Sequence, residues 1–279
     1  MKNNHKGHTN GALIPWALGK HALITGASSG IGEALAEHLT GICRRLTLIS
    51  RNREGRLEQI AKQLTRLPSH GERSRTQVQA FPLDVCDFTG MSDLIRRIYG
   101  EDRDQVDIFI NCAGGSHVYG TLETMSYEDI GKIFDTNAKA PIFWLRELLP
   151  RMRGNRMKGR DIKRAHIVMM SSRSGERALP KLSVYAAAKG AVEKLAEALQ
   201  KEYSQHRIVF TLVNPGSINT AFTAEWDPKA RNAHNAESMG VAEAVQPILQ
   251  ALNSQFVINR VSYESVKQWL NEPGVLIGR

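Results

Sequence analysis

Residues 25–32 read Thr25-Gly26-Ala27-Ser28-Ser29-Gly30-Ile31-Gly32. They follow a short apolar run at 22–25. After them Ile31, Ala34, Leu35, His38 and Leu39 share one helical face. A strand, a glycine turn and an apolar-faced helix in that order form a phosphate cradle. Gly26 permits the tight turn, Gly30 lets backbone approach a pyrophosphate, and Gly32 lets the helix pack closely on the sheet. The N–H groups of the helix N-terminus, around Ile31, carry partial positive charge toward the phosphates, and Ser28 and Ser29 add hydroxyl donors. A plain strand-to-helix turn is the competing reading of the glycines alone.

The rest of the chain repeats this alternation. Apolar runs at 46–49, 78–83, 106–110, 167–170, 208–213 and 256–258 predict further strands. Between them lie helical patterns, such as Leu57, Ile60, Ala61, Leu64 and Met91, Leu94, Ile95, Ile98. Ser126 with Asp129 predicts a helix start, Pro141 a bend, and Val266, Trp269 and Leu270 a terminal helix. Strands apolar throughout, separated by amphipathic helices, predict a mostly parallel sheet of about seven strands covered on both faces. The fold class is α/β, a single-domain, doubly wound Rossmann type. Residues 1–20 are expected as a flexible arm, 21–260 as the domain with a lid at about 217–240, and 261–279 as an extension. In such sheets ligands bind beyond the carboxyl ends of the strands, where every motif of this chain falls.

A chain of 279 residues with 42% hydrophobic content can bury a large core. It has no apolar run long enough for a membrane span, and 11–18 is too short and too broken by Pro15 for a secretory leader. Cys43, Cys86 and Cys112 are scattered without paired spacing. This argues against a disulfide framework and against a zinc site, and points to a reducing, cytoplasmic setting. The net charge is +9, of which the stretch 151–164 carries +6 against Asp161 alone. It has no interleaved aromatics and no nucleic-acid motif, so it reads as a solvated loop, with an acidic partner as the sharper alternative.

The end of the second expected strand reads Ser50-Arg51-Asn52-Arg53, with no carboxylate to meet a free ribose 2′-hydroxyl. Arg51 offers a planar fork to a 2′-phosphate, helped by Arg53. The expected cofactor is therefore NADP(H). Asp84-Val85 and Asn111-Cys112-Ala113-Gly114 end the next two strands. Asp84 can accept from an adenine amino group, and the small residues at 113–114 let backbone lie along the ribose.

Tyr185-Ala186-Ala187-Ala188-Lys189 places a phenol and an ammonium on one helical face. A neighbouring cation is expected to lower the phenol's pKa from near ~10 and make Tyr185 a proton donor to a developing alkoxide. Ser172, at the end of the fifth strand, can donate to the same oxygen.

In its TGASSGIG, Asp84-Val85, NCAG, Asn137, Ser172, YAAAK and Asn214-Pro215-Gly216 with Thr220, the sequence resembles the short-chain dehydrogenase/reductase family. The match runs from about Leu23 to Thr220. The resemblance implies an oxidoreductase of the NADP-preferring type, with Asn137, Ser172, Tyr185 and Lys189 catalytic. Asn137 would hold a water linking Lys189 to solvent, Lys189 would also bind the nicotinamide ribose, and Pro215, Gly216 and 217–220, including Ile218 and Thr220, would flank the nicotinamide. A homodimer or homotetramer is common in such families. Cys112 departs from the usual asparagine, and 151–164 is longer than usual.

The resemblance places the substrate near Ser116–Gly120, 173–180 and the segment after Gly216, where Tyr119, Leu179, Phe222 and Trp226 stand. An apolar pocket suits a hydrophobic ketone or a ketoacyl group, including one bound to a carrier protein. A non-catalytic NADP-binding module is the rival from another class. It is disfavoured by the presence of Ser172, Tyr185 and Lys189 together.

Overall fold

The computed structural model describes residues 16–51, 53–67, 75–101, 104–157, 161–254, 257–265 and 268. The strands are β1 (His21–Thr25), β2 (Arg45–Ser50), β3 (Gln77–Pro82), β4 (Ile108–Asn111), β5 (Ala165–Met170), β6 (Ile208–Pro215) and β7 (Arg260–Tyr263). They form one sheet in the order β3-β2-β1-β4-β5-β6-β7. Every neighbouring pair is parallel.

The helices are α1 (Gly30–Leu39), α2 (Arg56–Arg66), α3 (Phe88–Arg96), α4 (Tyr127–Phe134), α5 (Ala140–Arg153), α6 (Arg173–Glu176), α7 (Ser183–Tyr203), α8 (Pro228–Glu237), α9 (Val241–Ala244) and α10 (Gln246–Asn253). Strand side chains alternate between two cores. Ala22, Ile24, Ile108 and Ile110 face Leu35, Leu39, Leu57, Ile60, Ile248 and Leu252 of α1, α2 and α10. Leu23 and Phe109 face Met91, Trp144 and Val192 of α3, α5 and α7. Burying both faces explains why the inner strands are apolar throughout rather than alternating.

The chain reverses direction across the sheet between β1 and β4. That switch point opens a crevice at their carboxyl ends. The glycine turn leaves β1 there, and the loops after β4, β5 and β6 gather around it.

Three expectations need correction. The last strand is Arg260–Tyr263 rather than 256–258, so the boundary expected at 260 falls inside the sheet. Hydrogen bonding to β6 decides its place, and the apolar run before it does not. The expected arm does not extend to residue 20. Trp16 and Ala17 are buried, and Lys20 and Lys163 lie over the Trp16 ring at 5.3 and 5.2 Å. The basic stretch is not wholly solvated, since Lys163 is buried and donates toward Leu252 O. Residues 1–15, the terminal helix expected around Val266, Trp269 and Leu270, Phe256, Lys158, Arg160 and the Arg53 side chain lie outside what is described.

Candidate active site

The side chains expected to be catalytic are set by local backbone chemistry. Ser172 ends the β5 extension in extended backbone and caps α6, its Oγ accepting from Ser174 N at 3.1 Å. That bond fixes the oxygen and leaves the hydroxyl proton to point elsewhere; Ser172 and Tyr185 share a side-chain hydrogen bond. Tyr185 and Lys189 lie one turn apart on α7, both buried, with Lys189 Nζ 5.7 Å from the centre of the Tyr185 ring. Lys189 Nζ donates to Met170 O at 2.9 Å, tying the helix to the end of β5.

Asn137 sits in a widened π turn, Asp135–Lys139, between α4 and α5. Pro141 follows and has no N–H for the Asn137 carbonyl, so the regular register could not continue there. The fully buried Asn137 side chain donates to Ile133 O and Gly115 O, both at 2.8 Å, and accepts from Gly115 N at 3.0 Å. Gly114 lets the loop lie close to the side chains of Asn137 and Lys189. A Cβ there would lie 2.8 Å from Asn137 Oδ1 and 3.0 Å from Lys189 Nζ. Ser172, Tyr185, Lys189 and Asn137 therefore converge on one spot.

The cradle beside them admits no side chains. Gly26 has φ 69°, and a Cβ would meet Ala113 N at 2.8 Å. A Cβ on Gly32 would lie 2.4 Å from Gly26 O, which is the close helix packing expected from the sequence. Gly30, φ 56°, faces Thr220 Cγ2. Ser29 precedes α1 without making a side-chain cap bond, so its hydroxyl is not committed to the helix. Thr25 Oγ1 accepts from Ala113 N, and Asn111 Nδ2 is buried with no partner among the described residues. A glycine-lined turn, an open helix N-terminus and a spare donor match what a dinucleotide requires.

A family model described as short chain dehydrogenase matches residues 20–231. The chain belongs to the short-chain dehydrogenase family. It is 30% identical over 226 residues to an uncharacterized oxidoreductase of Staphylococcus aureus (strain USA300), covering 81% of this chain and 89% of that one. An alcohol dehydrogenase of the archaeon Thermococcus sibiricus, complexed with 5-hydroxy-NADP, superposes with a TM-score of 0.72 at 24% identity, over 89% of this chain and 97% of that one. A short-chain dehydrogenase/reductase from Burkholderia phymatum, in complex with NAD, gives 0.74 at 23% identity, over 88% and 89%. At these identities the two solved structures share the fold.

The other residues expected at this short-chain dehydrogenase's site are placed as follows. Arg51 is exposed just beyond β2. Asp84 is exposed, with Oδ1 accepting from Cys86 N at 2.9 Å. The Val85 carbonyl accepts from Trp144 Nε1 at 3.1 Å, so it braces α5. Gly216 N donates to Tyr263 O at 2.7 Å, and Ile218 pairs with Met239, closing the base of the lid. Thr220 caps the turn Ala221–Thr223. Leu179 is exposed.

The segment expected as a lid holds a capped helix, α8, and seats rings directly on Tyr185. Phe222 lies 5.4 Å from Tyr185, Trp226 lies 5.4 Å from Phe222, and Tyr119 stacks on Trp226 at 4.6 Å. Trp226 Nε1 donates to Ser116 O at 2.7 Å. The packing around Tyr185 reverses one expectation. Burial pushes the Tyr185 phenol up, opposed by its hydrogen bond to Ser172, and the expected lowering is not seen. Burial also pushes the neighbouring Lys189 ammonium down to about 8. Burial also pushes Cys112 up to about 12, so it is a neutral thiol.

Three residues escaped the sequence reading. Arg56 Nε lies 3.4 Å from Ser28 O while its Nη2 donates to Glu33, beside the phosphate turn. His234 lies 5.4 Å from Trp226 and 3.3 Å from Ser217 Oγ. Glu193 continues the Tyr185–Lys189 spacing by one more turn, a signal that was there to be read.

Proposed function

We propose that this chain is an NADPH-dependent reductase that converts a ketone, free or as a ketoacyl group, to a secondary alcohol, or runs the reverse oxidation. The observation that carries the reading is the meeting of Ser172, Tyr185 and Lys189 beside the glycine cradle. A phenol that stays protonated at neutral pH suits the donor role in reduction. In this reading Ser172 Oγ orients the carbonyl oxygen, Tyr185 Oη gives it a proton, and Lys189 steadies the phenolate left behind. In this reading Asn137 would hold a water that links Lys189 to solvent for reprotonation of the phenol.

The cofactor would lie along Gly26, Ser28, Ser29, Gly30, Ile31 and Gly32, with Asp84, Val85, Asn111, Ala113 and Gly114 on its adenosine side. Pro215, Gly216, Ile218 and Thr220 would flank its nicotinamide, which supplies the hydride when bound. Arg51 meets the 2′-phosphate, and the absence of a carboxylate after Ser50 supports NADP(H) over NAD(H). The ring-lined lid excludes water and favours an apolar substrate.

The test is a panel of ketones and secondary alcohols offered with each of the four nicotinamide forms, followed by absorbance of the reduced ring. Ketone-dependent oxidation of NADPH, faster than that of NADH, is expected. No turnover with any carbonyl or alcohol, despite cofactor binding, would overturn the reading.

A further inference from the structure

Glu193 is a buried carboxylate outside the set of groups just described, two turns along α7 from Tyr185 and one from Lys189. Its Oε1 accepts from Ser171 Oγ at 3.2 Å and from Asn214 Nδ2 at 3.0 Å. Its Oε2 accepts from Arg260 Nη1 at 3.0 Å. One side chain thus ties the catalytic helix to the ends of β5, β6 and β7. Glu176 doubles the tie, accepting from Asn214, Arg260 and Ser262 at 2.7, 2.8 and 2.7 Å.

The places it holds matter. Ser171 immediately precedes Ser172, and its Oγ also lies 3.3 Å from Lys189 O. Asn214 immediately precedes Pro215 and Gly216. Gly175 packs so close over the carboxylate that a Cβ there would stand 2.6 Å from Glu193 Oε1. Burying a charge is costly, and an apolar side chain would fill this volume at lower cost if filling were the only task. A carboxylate instead accepts three donors at fixed angles, which sets the strand ends relative to the helix.

We propose that Glu193 is a positioning residue for the reaction, holding Ser171 and Asn214, and through them Ser172 and the Pro215-Gly216 turn, in register with Tyr185 and Lys189. This rests on the function proposed above. A misplacement of about 1 Å at a reacting group can cost on the order of 100-fold in rate.

The experiment compares Glu193→Ala, Glu193→Gln and Ser171→Ala with the wild type and with Tyr185→Phe. It reads kcat, KM for the ketone, and amide hydrogen exchange of the cofactor-free protein. Glu193→Ala is expected to lower kcat roughly 10–100-fold with KM within about threefold. Its exchange should quicken at 171–173 and 214–216 and stay unchanged in β1 and β4. Gln keeps an acceptor for Ser171 and Asn214, so Glu193→Gln should recover most of the loss. Ser171→Ala should lower kcat several-fold. Glu193→Ala within twofold of wild type overturns the proposal, as does exchange raised throughout without rescue by Gln. If Glu193→Ala does not fold, Ser171→Ala and Glu193→Gln decide; Ser171→Ala within twofold of wild type, or Glu193→Gln as slow as Tyr185→Phe, overturns it. A wild type that reduces a ketone and a Tyr185→Phe variant that does not keep the parent reading intact whichever way Glu193 falls. If Tyr185→Phe is unimpaired, both readings fall together.

Discussion

At the amino end of the sheet, Asp104 is surrounded by donors. Its carboxylate meets Arg44, Arg45, Gln105 N and His21, while Asp107 accepts from His21 N and Gln105 at 2.9 Å each. A cleft of about 770 Å³ lined by Arg44, Tyr99, Gln105, Arg151 and Arg156 opens beside them. At the carboxyl end the polar groups around the glycine turn are less engaged. Asn111 Nδ2 and Asn214 Oδ1 are buried without partners among the described residues, and Ser29 makes no cap bond. Both ends bury polar groups at a cost. The amino end spends its carboxylates on internal partners, which serves the fold, although Asn155 Oδ1 there is also buried with no hydrogen bond among the described residues. The other leaves capacity unspent, which is what a ligand site requires. That cleft lies where the carboxylates are already paired, so an opening in the surface does not by itself mark the expected chemistry.

The contrast breaks most sharply at Tyr185. Tyr185→Phe removes one hydroxyl whose protein partner is Ser172. Turnover should fall about 10²- to 10⁴-fold, measured as NADPH oxidation with a reactive ketone. Unfolding midpoint and NADPH affinity should stay near wild type. A loss below about tenfold would remove Tyr185 from its role.

The mirror experiment is Asp104→Ala. It removes the partner of Arg44, Arg45 and His21 and should lower stability by about 1–3 kcal/mol in urea unfolding, since the donors it leaves are only partly re-exposed to water. Rate per folded molecule should be unchanged. A change in kcat of more than about threefold would mean that the two ends are coupled through the sheet.

How far each end is legible from sequence follows the same division. The carboxyl end is written in local spacing: a glycine turn, a phenol and amine one turn apart, a serine at a strand end. Such patterns are short-range, and the fold only has to bring them together. The amino end depends on partners far apart in the chain, such as His21 with Asp104 or Lys20 with Asp161, which no periodicity announces. Strand β7 was misplaced because its register is fixed by hydrogen bonding to β6 rather than by its own half-exposed side chains. The expected lowering of the Tyr185 pKa is not seen because the sequence shows the ammonium beside the phenol but not the burial of the phenol in a cluster with Phe222 and Trp226.

Arg51 sharpens the comparison at the carboxyl end. Its side chain is exposed, whereas Arg56 is already engaged with Glu33. A charge-assisted hydrogen bond to phosphate is worth about 1.5–3 kcal/mol, so Arg51→Ala should weaken NADPH by roughly 10–100-fold. NADH should change by less than about threefold, both measured by titration of cofactor fluorescence. Equal weakening of the two would remove Arg51 as the selector.

Acid and alkali should attack opposite ends. Asp104 is pushed up by burial, but hydrogen bonds from His21 and Arg44 outweigh this and hold its carboxyl well below the usual 3.8. Its stabilisation is present above about 3.8 and drains away as pH falls further. Lys189 is pushed by burial from 10.5 down to about 8. Below 8 both the folded and the unfolded chain carry its proton. Between 8 and 10.5 only the unfolded chain does, so this group makes stability rise with pH across that window. If the ammonium is the form that steadies the phenolate, activity moves the other way. From pH 7 to 8.5, kcat/KM for reduction should fall about fourfold, the amount expected for loss of one proton with a midpoint of 8. Lys163, also pushed down to about 8 by burial, adds to the stability trend from the opposite end of the sheet. Lys163→Met should therefore flatten the rise in stability while leaving the fall in activity intact. If the activity limb vanishes with Lys163, the titration that governs turnover does not belong to Lys189.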